Sequence, residues 1–208
     1  SIADYEDFLE SRCLPRSRDK IKLELKESDI PFYDPYLIVK KRRGEWQKEY
    51  NQMTIRRANE KDIPRLIELL EQVLQIHADI RPDIFIPGTT KYTEDELKEM
   101  LKDDTKPVYV AADENDVCLG YAFCQLKQQP FSNNMVPFTS LFIDDLCVDA
   151  KIRGQHVGES LFEYVKGEAK RLGCYEVTLN VWAGNTSAEK FYEKMGLKTK
   201  ERQMEYIL

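Results

Sequence analysis

Apolar residues recur along the chain with two different periods, and the switches between them mark out a series of elements. Residues 54–58 alternate as a short strand, after which Ile63, Leu66, Ile67, Leu70, Val73 and Leu74 return at helical spacing. Asn59 or Asp62 supplies the cap of that helix. Residues 81–90, with Pro82, Pro87 and Gly88, read as a loop, and Thr93-x-x-Glu96 resembles a capping box opening a second helix that runs to Lys102. Residues 108–112 and 117–126 flank a turn at 113–116 and predict a hairpin. After the polar loop 127–137, residues 138–148 form a further strand. The next helix, 157–172, turns Val157, Leu161, Tyr164, Val165 and Leu172 inward. Tyr175, Val177, Leu179 and Val181 alternate as a strand, residues 185–194 form a short helix, and one or two strands within 197–207 close the order β-α-α-β-β-β-α-β-α-β.

The first 52 residues follow no such rhythm. Ile21, Leu23 and Leu25 fit a strand, yet Ile21 and Leu25 are also one helical turn apart, and Pro31 and Pro35 break whatever precedes them. About 50 residues bury too small a fraction of their surface for much independent stability. The aromatic cluster Phe32, Tyr33, Tyr36 and Trp46 is therefore expected to pack on the main domain or on a partner. Charge supports a border near residues 48–52: residues 1–52 carry 11 basic and 11 acidic side chains, so the net −6 falls on residues 53–208. The run Lys40–Lys41–Arg42–Arg43 reads as a solvated face, with an anionic partner as the alternative.

Composition narrows the classes. Nine Gly and nine Pro in 208 residues, with 42% hydrophobic and 33% charged residues, describe a globular chain rather than a fibrous or low-complexity one. No stretch reaches the roughly 18 consecutive apolar residues of a membrane span, and residues 1–10 lack the basic end and apolar run of a secretory signal, so a cytoplasmic location with no membrane partner is expected. The net charge disfavours nucleic acid and suits a cationic small substrate. Cys13, Cys118, Cys124, Cys147 and Cys174 form an odd set without metal-ligand spacing, so reduced thiols and no metal site are expected.

The chemically informative stretch runs from Asp144 to Gly158. A strand ends, a loop turns, and a helix begins at a glycine-bearing segment, so backbone N–H groups without intrahelical partners converge on a small volume that suits phosphate oxygens. Neither GxxxxGK[ST] nor GxGxxG is present. The stretch Arg153-Gly154-Gln155-His156-Val157-Gly158 resembles the [QR]xxGx[GA] signature of the GCN5-related N-acetyltransferase (GNAT) superfamily. Residues 185–196, with Asn185, Ala188, Phe191, Tyr192 and Gly196, are similar to that family's N-x-x-A-x-x-F-Y-x-x-x-G helix. The resemblance covers residues 53–208, and residues 1–52 carry no comparable motif.

That resemblance implies an α/β fold: a mixed, splayed central sheet of six to seven strands flanked by about four helices, with residues 1–52 as a small extension. It implies acetyl-CoA as co-substrate, bound by Leu146, Cys147, Val148, Arg153, Gly154, Gln155, His156, Val157, Gly158, Glu159, Asn185 and Tyr192. Leu146 and Val148 would pair backbone groups with the pantetheine amides. Two positions depart from the family pattern. His156 replaces a usual glycine, which is tolerable if its φ is negative. Glu159 stands where a basic residue is common, and its carboxylate would either repel a diphosphate or point away.

Amide formation from a thioester needs a neutral amine, hence a base, and a proton donor for the leaving thiolate. The family's carboxylate base aligns with Asp144, with Asp145 beside it, while Tyr192 resembles the thiolate protonator. An ordinary aspartate, with a pKa of about 3.9, is a poor base at pH 7, so burial or the neighbouring carboxylate has to raise it. Adjacent strand residues normally face opposite ways unless a bulge intervenes. A hydrogen-bonded pair without a catalytic role is the alternative, as is a purely N-capping role for Asn185. Cys147 reads as a buried thiol, His77 as a satisfied edge histidine and Trp182 as rim packing.

The expected activity is acetyl transfer from acetyl-CoA to a primary amine by direct attack. The acceptor is a small polyamine-like or aminoglycoside-like cation drawn in by Asp79, Asp83, Asp144 and Asp145. The alternatives are a protein or peptide amine, or an acetyl-CoA-binding interaction module with little turnover. Residues 1–52 are the candidate for a homodimer contact or for docking a partner.

Overall fold

A computed structural model describes residues 37–42, 45–50, 53–129 and 132–208. The chain divides into two units after Gln52. In the first, β1 (Leu37–Arg42) and β2 (Glu45–Tyr50) pair antiparallel from Leu37↔Tyr50 to Arg42↔Glu45. Residues 21–25 and Phe32, Tyr33 and Tyr36 lie outside the described residues, while Trp46 stands in β2 opposite Lys41.

The second unit is a three-layer α/β body. Its sheet has the order β3 (Thr54–Arg57), β4 (Val108–Ala112), β5 (Cys118–Gln128), β6 (Thr139–Val148), β7 (Glu176–Leu179). Neighbours are antiparallel except β6 and β7, which run parallel. Helices α1 (Ile63–Ile80) and α2 (Glu94–Leu101) cover one face, where Leu66, Leu69, Leu70 and Leu97 pack on Val108, Val110, Tyr121 and Phe123. Helix α3 (Val157–Arg171) covers the other, packing Phe162, Val165 and Ala169 on Ala122, Leu141 and Ile143, with Phe191 and Tyr192 of α4 (Thr186–Lys194) alongside. Each fully buried leucine contributes about 2 kcal/mol by removal from water.

The caps explain the boundaries. Asn59 closes a capping box with Asp62 on a single 3-10 turn, and Pro64 then occupies the first turn of α1, where its missing N–H costs nothing. Asp62 is buried but fully engaged: Arg56 grips both of its oxygens at 2.8 and 2.9 Å, and the Asn59 N–H donates to it at 2.8 Å. Thr93 and Glu96 close the second box on α2, as the spacing predicts.

Three expectations need correction. The sheet of the second unit has five strands among the described residues, not six or seven. Residues 197–207 form no strand, because alternation without a pairing ladder does not make one; the segment is held by side chains, with Lys200 on Glu176 at 2.6 Å and Arg81 on Glu205 at 2.6 Å. Leu172 is 38% exposed, since α3 ends one residue earlier, and Phe162 takes the inward place.

Candidate active site

The site lies where β6 and β7 part. Their parallel pairing runs from Ser140↔Glu176 to Ile143↔Leu179 and stops, while β6 continues to Val148 beside β5 alone. Among the described residues no strand pairs with 144–148 on the β7 side, so that edge of Leu146 and Val148 is without a strand partner, and the Val148 carbonyl accepts from Arg153 Nε instead. The sheet therefore offers a ready strand edge to an extended, amide-bearing ligand.

A bulge sits at the point of parting. Phe123 pairs with Asp145 and Cys124 with Ile143, leaving Asp144 as the extra residue. Above it Leu141 and Ile143 face α3; below it Asp145 and Cys147 share the α1–α2 face with Tyr121 and Phe123. The reversal brings both carboxylates to the same side. Asp144 Oδ2 accepts from Lys91 Nζ at 2.7 Å and from the Tyr92 hydroxyl at 3.0 Å. Asp145 Oδ2 accepts from the Tyr121 hydroxyl at 3.3 Å. Burial pushes the Asp145 carboxyl up to about 6, against the pull of the Lys91 charge.

Tyr192 belongs to the same neighbourhood. Burial and then the Asp145 charge raise its phenol above the ordinary range, so it stays protonated at neutral pH. Its ring packs edge-on against Phe191, with centroids 5.0 Å apart, and Phe162. Asn185 caps α4, accepting from the Ala188 N–H at 3.2 Å. Cys147 is a core thiol whose Sγ contacts the Leu69 carbonyl oxygen at 3.6 Å, and burial pushes its pKa up to about 12.

Beyond the end of β6, the loop into α3 turns sharply. Gly154 and His156 both hold left-handed backbone, with φ of 82° and 61°. The negative φ expected at His156 is thus corrected: the turn needs a left-handed residue, and a non-glycine side chain bears that strain. Left-handed residues leading into a helix gather N–H groups toward one point, where the helix dipole favours negative charge. Arg153 Nε donates to the Val148 carbonyl at 3.3 Å. A Cβ on Gly158 would stand 3.5 Å from both Val148 Cγ2 and Phe191 Cζ, so a small residue keeps α3 close to β6 and α4. Glu159 does not stand free before the turn into α3. It pairs with Lys194 of α4 and with His156 Nδ1 at 3.1 Å; burial raises its carboxyl, but these two partners outweigh that and hold it below the usual range.

The loop between α1 and α2 is pinned by aromatic packing. Tyr92 packs on Phe123, and Phe85 meets His77 at 5.1 Å and Trp182 at 5.2 Å between ring centroids, so His77 and Trp182 are packing residues. The four aspartates expected to draw a cation are not all free: Arg81 holds Asp83, and Gln75 donates to Asp79. Lys91, Tyr92 and Tyr121 were not singled out from sequence. Lys91 and Tyr92 sit in a loop without periodicity, and Tyr121 reads as an ordinary strand residue until the register places it diagonal to Asp145.

The Acetyltransferase (GNAT) family model matches residues 70–197, more than half of the chain. The chain belongs to the GNAT family. The glucosamine 6-phosphate N-acetyltransferase of Arabidopsis thaliana is 37% identical over 62 residues, covering 30% of this chain and 40% of that protein. The peptidyl-lysine N-acetyltransferase YjaB of Salmonella typhimurium is 31% identical over 109 residues, 51% of this chain and 62% of that protein. The alignments thus span less than two thirds of these curated relatives. Among solved structures, a variant of the BH1408 protein from Bacillus halodurans superposes with a TM-score of 0.71 at 28% identity, covering 74% of this chain and 99% of that one. The GNAT fold accounts for the parted strands and the four helices. No helix among the described residues is long and apolar enough to cross a membrane, and no cluster of His, Cys, Asp or Glu among them is arranged to hold a metal ion.

Proposed function

We propose that this chain transfers the acetyl group of acetyl-CoA to a primary amine by direct attack, with a small cationic amine as the leading acceptor. The observation that carries the reading is the pair Asp144–Asp145 brought to one side of β6 by the bulge, next to the strand edge where the sheet opens. In this reading the edge of Leu146 and Val148 receives the pantetheine arm. The N–H groups from Gly154 to Gly158, with Arg153, receive the diphosphate, and the pairing of Glu159 with Lys194 and His156 blunts its repulsion.

The two aspartates divide the work. Asp144, already bonded by a cation and a phenol, holds an ammonium in place. Asp145, half-buried and titrating near 6, accepts the proton that the amine must lose before or as it attacks. Tyr192 keeps its proton at neutral pH and delivers it to the departing thiolate. Asn185 acts first as a helix cap, and its contact to the pantetheine arm is secondary.

The acceptor class rests on the acidic, partly open mouth beside Asp144, whose side chain is 19% exposed. Sequence likeness to enzymes named for an amino sugar phosphate and for peptidyl lysine is compatible with a small amine and with a protein amine. Residues 1–52 are proposed as a separate extension available for a dimer contact or a partner. Thiol release from acetyl-CoA across polyamines, aminoglycosides, amino sugars and lysine peptides tests the assignment: a rate that climbs with one amine class names the acceptor.

A further inference from the structure

The acceptor side of the cleft already contains a primary ammonium. Lys91 Nζ donates to Asp144 Oδ2 at 2.7 Å, lies 5.4 Å from the centre of the Tyr92 ring, and shares that carboxylate oxygen with the Tyr92 hydroxyl. Its side chain is 40% exposed, so it enters from solvent on a flexible stem rather than being locked in the core. Asp144 is the bulged residue at which β6 leaves β7, so the Lys91–Asp144 pair stands beside the strand edge proposed above for the pantetheine arm. Asp145 is the next residue, with the Tyr121 hydroxyl on its Oδ2. The neighbouring positions thus hold a carboxylate that grips an alkylammonium and a second carboxylate near enough to feel the charge of that ammonium.

We propose that Lys91 is itself an acceptor and that the protein acetylates this side chain within its own chain. The inference rests on the acetyltransferase reading above. The Lys91 ammonium gives one proton to Asp145, which passes it to solvent, and the neutral nitrogen forms a bond to the acetyl carbonyl carbon. The carbon–sulfur bond of the thioester breaks; the second proton leaves the nitrogen to Asp145, and the thiolate takes a proton from Tyr192, which is refilled from Asp145 or solvent. The products are an acetamide at Lys91, free CoA thiol and one proton released. Acetylation removes the cation from Asp144 and leaves that carboxylate for an external ammonium.

The full chain, incubated with acetyl-CoA and followed by intact mass and peptide mapping, tests this. The expected result is one acetyl group per chain, placed at Lys91, with a first-order rate unchanged on dilution. Lys91→Arg, which keeps a cation for Asp144, loses that increment, and Tyr192→Phe slows its appearance by on the order of a hundredfold. Spontaneous acetylation of exposed lysines would ignore Tyr192→Phe, and that outcome overturns the proposal. Lys91 left unmodified while an added amine is acetylated overturns the proposal and leaves the transferase reading standing. Absence of both thiol release and calorimetric acetyl-CoA binding overturns the two together.

Discussion

Asp144 and Asp145, successive along β6, are both engaged from the α1–α2 side of the sheet, the first by Lys91 and Tyr92 and the second by Tyr121. A regular strand would send one of them into the α3 layer. The bulge that prevents this lies beside the last β6–β7 pair, so one irregularity both gathers the carboxylates and coincides with the opening of the cleft.

The base role proposed for Asp145 predicts an acid limb in the pH profile. With its carboxyl at about 6, kcat/KM is expected to rise with pH through that value as the base ionises, and Asp145→Asn is expected to abolish the limb and lower kcat by on the order of a hundredfold. A rate measured from pH 5 to 8 that is flat in the wild-type protein contradicts the role.

The same shift has a stability consequence of opposite sense. Because the folded-state pKa of about 6 exceeds the unfolded value near 3.8, the ionised form is penalised in the fold; the penalty is absent below 3.8, grows between 3.8 and 6, and is complete above 6. Asp145→Asn is therefore expected to raise stability at pH 7 by on the order of 2 kcal/mol, once partial solvent access is allowed for, and to leave it nearly unchanged at pH 3.5. Denaturant titrations at the two pH values check the difference.

Much of this architecture was legible in the sequence, because caps and periodicity are local. Thr93 with Glu96 and Asn59 with Asp62 announce their helices, and Asn185 announces α4. The bulge at Asp144 was not, since it exists only in the pairing of β6 with β5, and no residue type marks it. Lys91 and Tyr92 reach Asp144 across 53 and 52 residues of chain. The alternating tail after Gly196 promised a strand for the opposite reason: a local pattern was present, and the ladder it needed was not.

The proton-donor role proposed for Tyr192 separates chemistry from binding. Tyr192→Phe keeps the ring against Phe191 and Phe162 and removes only the proton donor, so kcat is expected to fall on the order of a hundredfold while acetyl-CoA affinity stays within about twofold. Thiol-release kinetics with parallel calorimetry distinguish the two effects.

His156 carries backbone strain at the turn into α3 proposed to receive the diphosphate. His156→Gly is expected to keep the left-handed turn and raise stability by up to about 1 kcal/mol, less the small value of the exposed His156–Glu159 pair. His156→Val, branched at Cβ, is expected to lose stability and acetyl-CoA affinity together. Thermal melts with and without acetyl-CoA report both.

Gly120 is fixed by close approach. A Cβ there would stand 2.6 Å from the Cys147 carbonyl oxygen, so Gly120→Ala has to push β6 away from β5 just beside Leu146 and Val148. A loss of about 2 kcal/mol in stability, with weakened acetyl-CoA binding, is expected. Unchanged denaturation and binding would show that the strands can give without disturbing the cleft.

Parted strands, paired aspartates and Tyr192 are proposed to make, together, an amine acetyltransferase. The most direct test of that proposal is acetyl-CoA-dependent thiol release by the full chain across an amine panel, run beside Asp145→Asn. Release is expected to rise with a small cationic amine and to collapse in the variant. Acetyl-CoA binding without release for any amine, small or peptidic, would contradict it.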